Sequence, residues 1–355
     1  MGVGQGMQQG SGSALVGAWQ GRGLLAICLL PISLLYGALV ALRRFAYRSG
    51  IFKVHRVDRP VLVIGNVVAG GAGKTPTTVG VVKHLVARGL TVGVVSRGYG
   101  RQSDDVRRVR ATDDVADVGD EPKLIARTTG VPVYVGRNRH AAATVLLADC
   151  PDTQIVVCDD GLQHYALYRD VEICVFDDRA VGNGWLLPAG PLREHWPRTA
   201  LRSAGQDDGR LLVLRTSATD QVSGFSASRS LANHGIRSNG DPVDLRSLER
   251  PILALAGIAR PQAFFSALAD AGIEVDKTLP LADHFDFQSL DTTPLQGHQV
   301  LCTEKDADKL WTIWPQALAV PLVQTLEPAF LLALDRLVDD ALRTKLSSTH
   351  GHQTA

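Results

Sequence analysis

The chain is 355 residues long, its hydrophobic fraction is 45%, and its formal net charge is +1. This length is enough for two domains with a sizeable core in each. A net charge so close to zero excludes a general electrostatic attraction to nucleic acid, and the sequence indicates no protein partner. The 5 cysteines form no CxxC pair, which excludes a zinc or disulfide framework and is typical of a reduced, cytoplasmic protein.

The N-terminal part predicts two segments, a disordered extension at 1–21 and a membrane-associated helix at 22–50. The extension is rich in Gly, Gln and Ser. The helix carries no charged residue from Leu24 to Leu42, a length close to the roughly 20 residues that span a bilayer. A signal peptide is disfavoured because no small-residue cleavage site precedes the arginines that follow.

Three alternatives remain for this helix: it spans a membrane, it lies in the membrane interface, or it is a buried core helix. A weak polar stripe on one side of the helical wheel favours the interface, and it consists of Ser33, Tyr36, Gly37, Arg44 and Arg48. Basic residues cluster directly after the apolar stretch. Both membrane alternatives therefore place the rest of the chain on the cytoplasmic side.

A glycine-rich turn directly follows an apolar run at 61–66 that is typical of a buried strand. Lys74 would offer a charge to phosphate oxygens, and Thr75 a hydroxyl to Mg²⁺. The glycine that usually stands six residues before the lysine is replaced by Val68. The alternative, a Gly-rich turn with a surface lysine, is disfavoured because strand, glycines and helix start are in register. The segment therefore predicts a phosphate-binding loop made of Gly70, Gly71, Ala72, Gly73, Lys74 and Thr75.

Strands alternate with helical patterns across 51–170, which we predict to be a nucleotide-binding core. Predicted strands at 91–95, 131–135 and Ile155–Cys158 are each followed by a polar turn. Such alternation is typical of a parallel sheet that binds ligands at the carboxyl ends of its strands.

Two acidic pairs fall at the ends of predicted elements. Asp159 and Asp160 end a buried strand, where a carboxylate can join the coordination of Mg²⁺, although a simple turn cap is the alternative. Asp120 and Glu121 stand at a predicted helix N-terminus, where one of them can be an N-cap. Beside a triphosphate, two adjacent carboxylates can divide metal binding and proton abstraction between them.

The rest of the chain carries a second α/β pattern, which predicts a second lobe at 191–325 and a C-terminal helix and tail at 326–355. His284 lies in this lobe between aromatic residues, and a lone histidine is more typical of a packed or surface position than of a functional one. Arginines at Gly- or Pro-rich turns favour anion binding, with solvated side chains as the alternative; they are Arg97, Arg101, Arg137, Arg139, Arg193 and Arg198.

Taken in order, these motifs closely resemble the tetraacyldisaccharide 4′-kinase family, the lipid A 4′-kinases of Gram-negative bacteria. The resemblance extends from about residue 24 to about residue 335. The family usually has Thr or Ser where Val68 stands. The segments that carry the resemblance are the apolar helix, the phosphate loop with Pro76, Ser96-Arg-Gly-Tyr-Gly-Arg101, Gly119-Asp-Glu-Pro122, Asp159-Asp-Gly-Leu-Gln-His164, Leu187-Pro-Ala-Gly-Pro-Leu-Arg-Glu194, Asp283-His284 and Thr303-Glu-Lys-Asp-Ala307.

The resemblance implies an α/β fold with a P-loop NTPase-type parallel-sheet domain, a second smaller α/β domain and an N-terminal membrane-associated helix. It also implies a two-stranded linker between the lobes, which we place at 171–190. The implied reaction moves the γ-phosphoryl group of ATP to the 4′-hydroxyl of lipid A disaccharide 1-phosphate and gives lipid IVA. The implied location is the cytoplasmic face of the inner membrane, whose surface the protein would contact.

The resemblance further implies roles for individual residues. Lys74, with the rest of the loop and Arg193, would bind ATP. Asp120 would take the proton of the 4′-hydroxyl, assisted by His284 from the second lobe. Mg²⁺ would be bound by Thr75, Glu121 and one or both of Asp159 and Asp160. Contacts to the acceptor would come from Arg97, Arg101, Arg137, Asn138 and His164.

One rival comes from another class of protein, a membrane-recruited P-loop ATPase switch of the partitioning or metal-insertion type. In such a switch, ATP drives association with a partner protein and no lipid is phosphorylated. A switch needs only water-activating residues in the first domain, whereas a kinase needs a base for its acceptor. Asp120 and His284 therefore distinguish the two hypotheses.

Overall fold

The computed structural model describes residues 17–71, 73–198, 210–283 and 285–350. Most of the predicted N-terminal extension at 1–21 lies outside these residues. Ala72 of the predicted phosphate loop and His284 of the second lobe also lie outside them.

Along most of the described chain, α-helices alternate with strands. In chain order they are α1 (Leu24–Arg48), α2 (Lys74–Ala87), α3 (Val115–Val118), α4 (Asp120–Thr129), α5 (Arg139–Asp149), α6 (Pro261–Asp270), α7 (Glu304–Leu310) and α8 (Pro328–His350).

The strands form two sheets. In chain order they are β1 (Val61–Gly65), β2 (Val92–Ser96), β3 (Arg107–Arg108), β4 (Val133–Val135), β5 (Ile155–Cys158), β6 (Val171–Phe176), β7 (Leu211–Arg215), β8 (Phe225–Leu231), β9 (His234–Ile236), β10 (Pro242–Asp244), β11 (Ile252–Ala256), β12 (Lys277–Pro280), β13 (Gln299–Thr303), β14 (Leu318–Val320) and β15 (Leu322–Leu326).

The first sheet has the strand order β15-β8-β7-β6-β1-β5-β2-β4-β3. β1 lies at its centre and pairs in parallel with β5 and β6. All residues of β1, β2, β5 and β6 are buried, because these largely apolar strands are covered on both faces. On one face, α2, α4 and α8 contribute Leu85, Ile125 and Leu334 to the core. On the other, Leu146 of α5 and Leu162 pack against the sheet. The phosphate loop therefore starts from the best-buried part of the molecule.

The second sheet has the strand order β10-β9-β14-β13-β11-β12. Its strands β11, β12, β13 and β14 are parallel to one another. Phe264 and Leu268 of α6 belong to the core on one face, and Ala307 and Leu310 of α7 to the core on the other. The second lobe is thus a smaller α/β layer structure with its own hydrophobic core.

Two antiparallel strands of the first sheet, β8 and β15, join the two lobes. β8 leads into the second sheet and β15 returns from it, with pairing that runs from Leu322–Leu231 to Leu326–Ala227. This corrects the linker that we predicted at 171–190. That stretch begins with β6, which is hydrogen-bonded to β1 on one edge and to β7 on the other. A strand held on both edges in the middle of a sheet is not a joint between lobes.

The boundaries of the second lobe also need correction. We predicted that it begins at 191, but β7 at Leu211–Arg215 belongs to the first sheet. The second sheet begins only with β9 at His234. The C-terminal helix within the predicted 326–355 segment packs on the first sheet through Phe330 and Val338. The first lobe is therefore larger than the predicted 51–170.

α1 lies along the first lobe and leaves a broad apolar face uncovered. Its side towards the lobe buries Ala26, Ser33, Gly37 and Ala46. By length and composition it could cross a membrane, with a mean hydropathy of 2.4 and 17% of its most apolar window buried. This exposure does not fit a buried core helix. The exposed apolar side chains are Leu24, Leu25, Ile27, Ile32, Leu34, Leu35, Leu39, Leu42 and Phe45.

Candidate active site

The phosphate loop connects the end of β1 to the start of α2 and is shaped by two glycines. Gly70 and Gly73 have φ angles of 92° and 78°, which residues with a Cβ atom rarely adopt. Asn66 Nδ2 donates to the carbonyl oxygens of Val68 and Gly70, at 2.6 and 3.2 Å, and closes the first half of the loop. Gly73 is the N-cap of α2. The loop therefore ends at a helix N-terminus, where backbone N–H groups and the helix dipole favour an anion.

Arg179 holds the loop by its carbonyl groups. Its guanidinium donates to the carbonyl oxygens of Ala69 and Gly71, both at 3.0 Å, and pairs with Asp177 at the end of β6 at 2.8 Å. A Cβ atom on Gly70, between the two carbonyls, would lie 3.0 Å from Arg179 Nη1. Carbonyl groups bound on one side of a loop leave its N–H groups facing the other, as an anion-binding loop requires. No sequence pattern identified Arg179, because the loop carbonyl groups that it binds are more than 100 residues away.

Lys74 and Thr75 open α2, and only 8% of each is exposed. Lys74 Nζ lies 3.7 Å from Asp160 Oδ2. Thr78, one helical turn further on, donates its hydroxyl to Asp159 Oδ1 at 2.6 Å. The structure therefore brings the phosphate-loop lysine and the acidic pair at the end of β5 together.

Asp159 is buried and Asp160 is partly exposed, and each has one buried carboxylate oxygen with unmet hydrogen-bonding capacity. Burial and the neighbouring Glu121 raise the pKa of Asp159 to about 7, although the bond from Thr78 opposes the shift. Asp160 has a φ angle of 46°, uncommon for a non-glycine residue. Asp159 Oδ2 and Asp160 Oδ1 are buried and accept no hydrogen bond from the residues that the structure describes. Such oxygens are costly unless a cation or another donor reaches them.

These two oxygens fit a magnesium ion that is bound together with a nucleotide. Within the described part of the chain, no group of three or more His, Cys, Asp and Glu side chains could hold a metal ion by itself. Mg²⁺ usually keeps several waters and takes one or two carboxylates plus substrate phosphates. Thr75, Glu121, Asp159 and Asp160 can supply that smaller share of ligands.

The second acidic pair begins α4, where the two lobes meet. Burial raises the pKa of Glu121, while Lys305 and Lys74 act to lower it. Asp120 Oδ1 accepts the Glu121 N–H at 2.9 Å. Asp120 Oδ2 lies 3.2 Å from Lys309 Nζ and 4.0 Å from Lys305 Nζ. Two lysines of the second lobe thus face the carboxylate that the resemblance assigns as the base.

Lys305 and Lys309 were not among the predicted site residues. They lie one helical turn apart on α7, so their spacing of four residues was the signal in the sequence. Lys305 Nζ also lies 3.3 Å from Asp283 Oδ1. Asp283 precedes His284, which is outside the described residues, so the partnership of His284 with Asp120 stays a prediction.

A second contact between α4 and α7 involves Arg127. Its guanidinium pairs with Asp308 at 2.9 Å and donates to the Glu304 carbonyl oxygen at 3.1 Å. The same group lies 5.0 Å from the centre of the Trp311 ring. An ion pair, a backbone hydrogen bond and a cation–π contact therefore hold the lobes together beside Asp120.

Arg193, predicted to bind the nucleotide, lies beside the phosphate loop. Its Nη1 is 3.7 Å from Asp160 Oδ1 and 3.5 Å from Asn66 Oδ1. Its backbone N–H donates to the Val67 carbonyl oxygen at 2.7 Å. The side chain thus extends the cationic surface that Lys74 begins.

The residues predicted to contact the acceptor fall into two groups, and the side chains of the first group bind other residues of the chain. Arg101 pairs with Asp105 at 3.7 Å, and Arg137 with Asp104 at 3.1 Å. Asn138 caps α5, where its side chain accepts two backbone N–H groups. In the structure, the two arginine side chains pair with aspartates of the 102–118 loop, and the asparagine side chain caps a helix.

The other group surrounds His164. Burial and the nearby Arg139 and Arg169 lower the pKa of His164 to about 3, so the imidazole is neutral at pH 7. Its Nε2 atom is buried and has no hydrogen-bond partner in the part of the chain that the structure describes. Arg139 is also buried and donates to the Asp160 carbonyl oxygen at 3.3 Å, while Arg97 is exposed. This cluster offers a neutral ring and two cations next to the acidic pair.

Comparison with known proteins shows which family this chain resembles. A family model described as Tetraacyldisaccharide-1-P 4′-kinase matches residues 25–343. The chain is 52% identical over 345 residues to the tetraacyldisaccharide 4′-kinase of Polaromonas naphthalenivorans, an alignment that covers 96% of this chain and 98% of that protein. It is 52% identical over 324 residues to the enzyme of the same name from Acidovorax ebreus, with 90% and 93% covered.

Among solved structures, the chain is similar to LpxK from Aquifex aeolicus in complex with ATP. The TM-score is 0.75 at 26% sequence identity, and the match covers 89% of this chain and 100% of that one. The predicted fold class, two α/β domains with an apolar N-terminal helix, is confirmed. The chain therefore belongs to the tetraacyldisaccharide 4′-kinase family and is a kinase of lipid A biosynthesis.

Proposed function

We propose that this kinase transfers the γ-phosphoryl group of ATP to the 4′-hydroxyl of tetraacyldisaccharide 1-phosphate and so produces lipid IVA. The observation that carries the proposal is the convergence of Lys74, both acidic pairs and two second-lobe lysines at one edge of the first sheet. Phosphoryl transfer needs positioning and charge neutralisation more than covalent chemistry. This set of side chains can supply both.

ATP would bind on the phosphate loop, with Lys74 and Arg193 contacting its phosphates. The similar structure from Aquifex aeolicus, which is a complex with ATP, supports this assignment. The loop residues Gly70, Gly71, Ala72, Gly73 and Thr75 would contribute backbone N–H groups. Arg179 would keep those groups facing the nucleotide by holding the carbonyl groups of the loop.

Mg²⁺ would be held by Thr75, Glu121, Asp159 and Asp160 together with phosphate oxygens and water. When bound, it would neutralise charge on the phosphates of ATP. One buried oxygen of each aspartate in the 159/160 pair accepts no hydrogen bond from the described residues, which supports this assignment. The high pKa of Asp159 means that a proton competes with the ion for one of these sites.

Asp120 would accept the proton of the 4′-hydroxyl. A carboxylate must be ionised for this task, and the ammonium groups of Lys305 and Lys309 favour the ionised form. Because both lysines come from the second lobe, Asp120 gains these neighbours only when the lobes are together. His284 would assist Asp120 from the same lobe.

The sugar and 1-phosphate of the acceptor would be bound on the His164 side of the site. His164 offers a neutral ring nitrogen, and Arg97 offers an exposed guanidinium. Arg101, Arg137 and Asn138 would join them only by exchanging their present partners for the acceptor. They are therefore weaker candidates than His164 and Arg97.

α1 would keep the enzyme on the cytoplasmic face of the inner membrane as a monotopic protein. The helix contacts the first lobe from Ser33 to Tyr47, so it lies along the protein while its other face stays apolar and exposed. A helix in this arrangement suits the membrane interface better than a span across it, because a span would draw the polar lobe into the hydrocarbon. The acyl chains of the acceptor would stay in the membrane.

The test is transfer of label from γ-³²P-ATP to tetraacyldisaccharide 1-phosphate in detergent with Mg²⁺. Wild type should label the lipid. Asp120→Ala should lower the rate of lipid labelling at least about a hundredfold, because it removes the proposed base. Asp152→Ala, which removes an exposed carboxylate elsewhere, should label the lipid at the wild-type rate. Free phosphate release without labelled lipid would instead support the ATPase switch.

A further inference from the structure

Three polar side chains of α1 reach one short segment of the first lobe, residues 186–194, while the C-terminal end of the helix packs on Tyr165. Ser33 of the helix is buried and donates its hydroxyl to the Leu186 carbonyl oxygen at 2.6 Å. Gly37 stands one turn further on, and a Cβ atom there would come 2.7 Å from Leu186 Cδ1. The helix backbone therefore approaches this segment as closely as the absence of a side chain allows.

Two more polar contacts join α1 to the end of the same segment. Tyr36 donates its hydroxyl to the Arg193 carbonyl oxygen at 3.0 Å. Arg44 lies 3.4 Å from the carboxylate of Glu194, a residue with only 1% of its surface exposed. Neither contact is needed to attach an apolar helix to a membrane, since both face the protein.

The opposite edge of the segment is bonded to the phosphate loop. The Ala69 N–H donates to the Pro191 carbonyl oxygen at 2.8 Å, and the Arg193 N–H donates to the Val67 carbonyl oxygen at 2.7 Å. Val68, between the two, forms an antiparallel bridge with Leu192. The first half of the phosphate loop is therefore one strand of a small ladder, and the 191–193 stretch is the other.

Arg193 and Glu194 complete the connection with their side chains. Arg193 reaches Asp160 at 3.7 Å while its carbonyl group is held by Tyr36. Gln163 donates to Glu194 Oε1 at 2.8 Å and to the Asn66 carbonyl oxygen, at the start of the loop, at 3.0 Å. One residue, Arg193, thus separates α1 from the phosphate loop at the first point, and two residues, Glu194 and Gln163, separate them at the second.

We propose that Tyr36 and Arg44 of α1 are positioning residues for the ATP site, acting through Arg193 and Glu194. The helix is then part of the scaffold that shapes the phosphate loop, in addition to its membrane role. A loop that is held before ATP arrives loses less conformational freedom on binding, so contacts that hold it raise ATP affinity. The inference rests on the proposed function, which makes this loop the ATP site.

The test measures ATP binding to the full chain in detergent, without lipid acceptor, by displacement of a fluorescent ATP analogue. Tyr36→Phe removes one hydroxyl, and Arg44→Gln removes one charge. Each should weaken ATP binding roughly fivefold, the loss expected for one hydrogen bond or ion pair of this kind. The KM for ATP should rise by the same factor, while kcat, the KM for the acceptor and vesicle binding stay unchanged.

The matched control is Tyr47→Phe, which makes the same chemical change on the same helix. Tyr47 packs its ring against Phe52 and Tyr165, and Tyr47→Phe keeps that ring in place, so ATP binding should stay at the wild-type value. Arg44→Lys keeps the charge and should recover most of the affinity lost in Arg44→Gln.

The inference is overturned if Tyr36→Phe and Arg44→Gln bind ATP as tightly as wild type, or if they alter only acceptor KM or vesicle binding. In that case α1 is an anchor and nothing more. A wild-type protein that binds no ATP would give a different result, because it would refute the proposed function itself.

Discussion

At the scale of single residues, Asp159 is a buried carboxyl group whose pKa is raised to about 7. It is buried beside Glu121 and Asp160, and one of its oxygens has no donor among the described residues. A proton stabilises this carboxyl in the empty site, and a divalent cation can replace that proton. Metal binding at this position should therefore release protons near neutral pH.

Asp159 should make the metal-free protein less stable as the pH rises. The pKa of its carboxyl is raised from 3.8 to about 7 by folding, so the folded state binds more protons than the unfolded state between these values. Stability from this residue is full below about pH 4 and is lost as the pH rises through about 7. Without Mg²⁺ and nucleotide, Asp159→Asn should melt roughly 2–6 °C above wild type at pH 8, with the gap closing towards pH 5.

Thermal melting from pH 5 to 8, with and without Mg²⁺, checks this expectation. Mg²⁺ should stabilise wild type more at pH 8 than at pH 5.5 and should act weakly on Asp159→Asn. If the Tm values of wild type and Asp159→Asn differ by the same amount at every pH from 5 to 8, Asp159 does not titrate in this range.

The residues that the sequence identified share a local signal. Lys74 follows a glycine-rich turn, and Asp159 ends an apolar run, so both could be placed from their immediate neighbours. Arg179 carries no such signal, because the loop carbonyl groups that it binds are distant in sequence, and the four-residue spacing of Lys305 and Lys309 does not reveal that they face Asp120. Tertiary contacts of this kind can be seen only once the strands are arranged.

At the scale of elements, the packing of the phosphate loop explains why a valine can stand at position 68. Val68 stands where the family usually has Thr or Ser, and it is 1% exposed within the core cluster that contains Leu186 and Leu192. An apolar side chain at this position is accommodated by the core. Arg179 and Asn66 supply polar bonds that fix the shape of the loop.

Loss of Arg179 should therefore weaken ATP binding more than it slows transfer. Arg179→Ala leaves two loop carbonyl groups without their charged donor, and we expect the KM for ATP to rise about tenfold, since hydrogen bonds to charged groups contribute about 1.5–3 kcal/mol. Steady-state kinetics with saturating acceptor measure this. The KM for ATP of Arg179→Lys should lie between those of wild type and Arg179→Ala. Arg246→Ala, which removes an exposed arginine of the second lobe, should leave the KM for ATP at the wild-type value. An unchanged KM in Arg179→Ala would contradict the assignment.

The strands differ in how well they could be predicted from their sequences. β1 and β5 are continuous apolar runs, and the structure buries every residue in them. β8 has the sequence FSASRSL, and only one of its seven residues is buried. A half-exposed strand rich in serine has little periodic signal, which is why the joint between the lobes was placed on the wrong stretch.

At the scale of the whole molecule, the contact of α4 with α7 sets how the two lobes meet. Asp120 faces Lys305 and Lys309, and Arg127 binds Asp308 on the same side. Contact between the lobes therefore brings positive charge to Asp120, the base in the proposed reaction. The resemblance implied two lobes, but the residues that hold them together came from the structure.

Arg127→Ala should slow turnover by about fivefold or more and leave the KM for ATP nearly unchanged, because it loosens the closed arrangement without touching the phosphate loop. A double-mutant cycle with Asp308→Ala measures the link between the two side chains. The two losses should be less than additive if the ion pair acts as a unit. Fully additive losses would mean that each residue acts separately.

The paired strands β8 and β15 also have a consequence for biosynthesis. The chain leaves the first sheet by β8, builds the second lobe, and returns by β15 before α8 covers the sheet with Phe330, Leu334 and Val338. The ribosome therefore releases the whole second lobe before it releases the strand and helix that complete the first. Until then the nascent first lobe exposes an apolar sheet face, and during translation the smaller lobe can finish folding before the larger one.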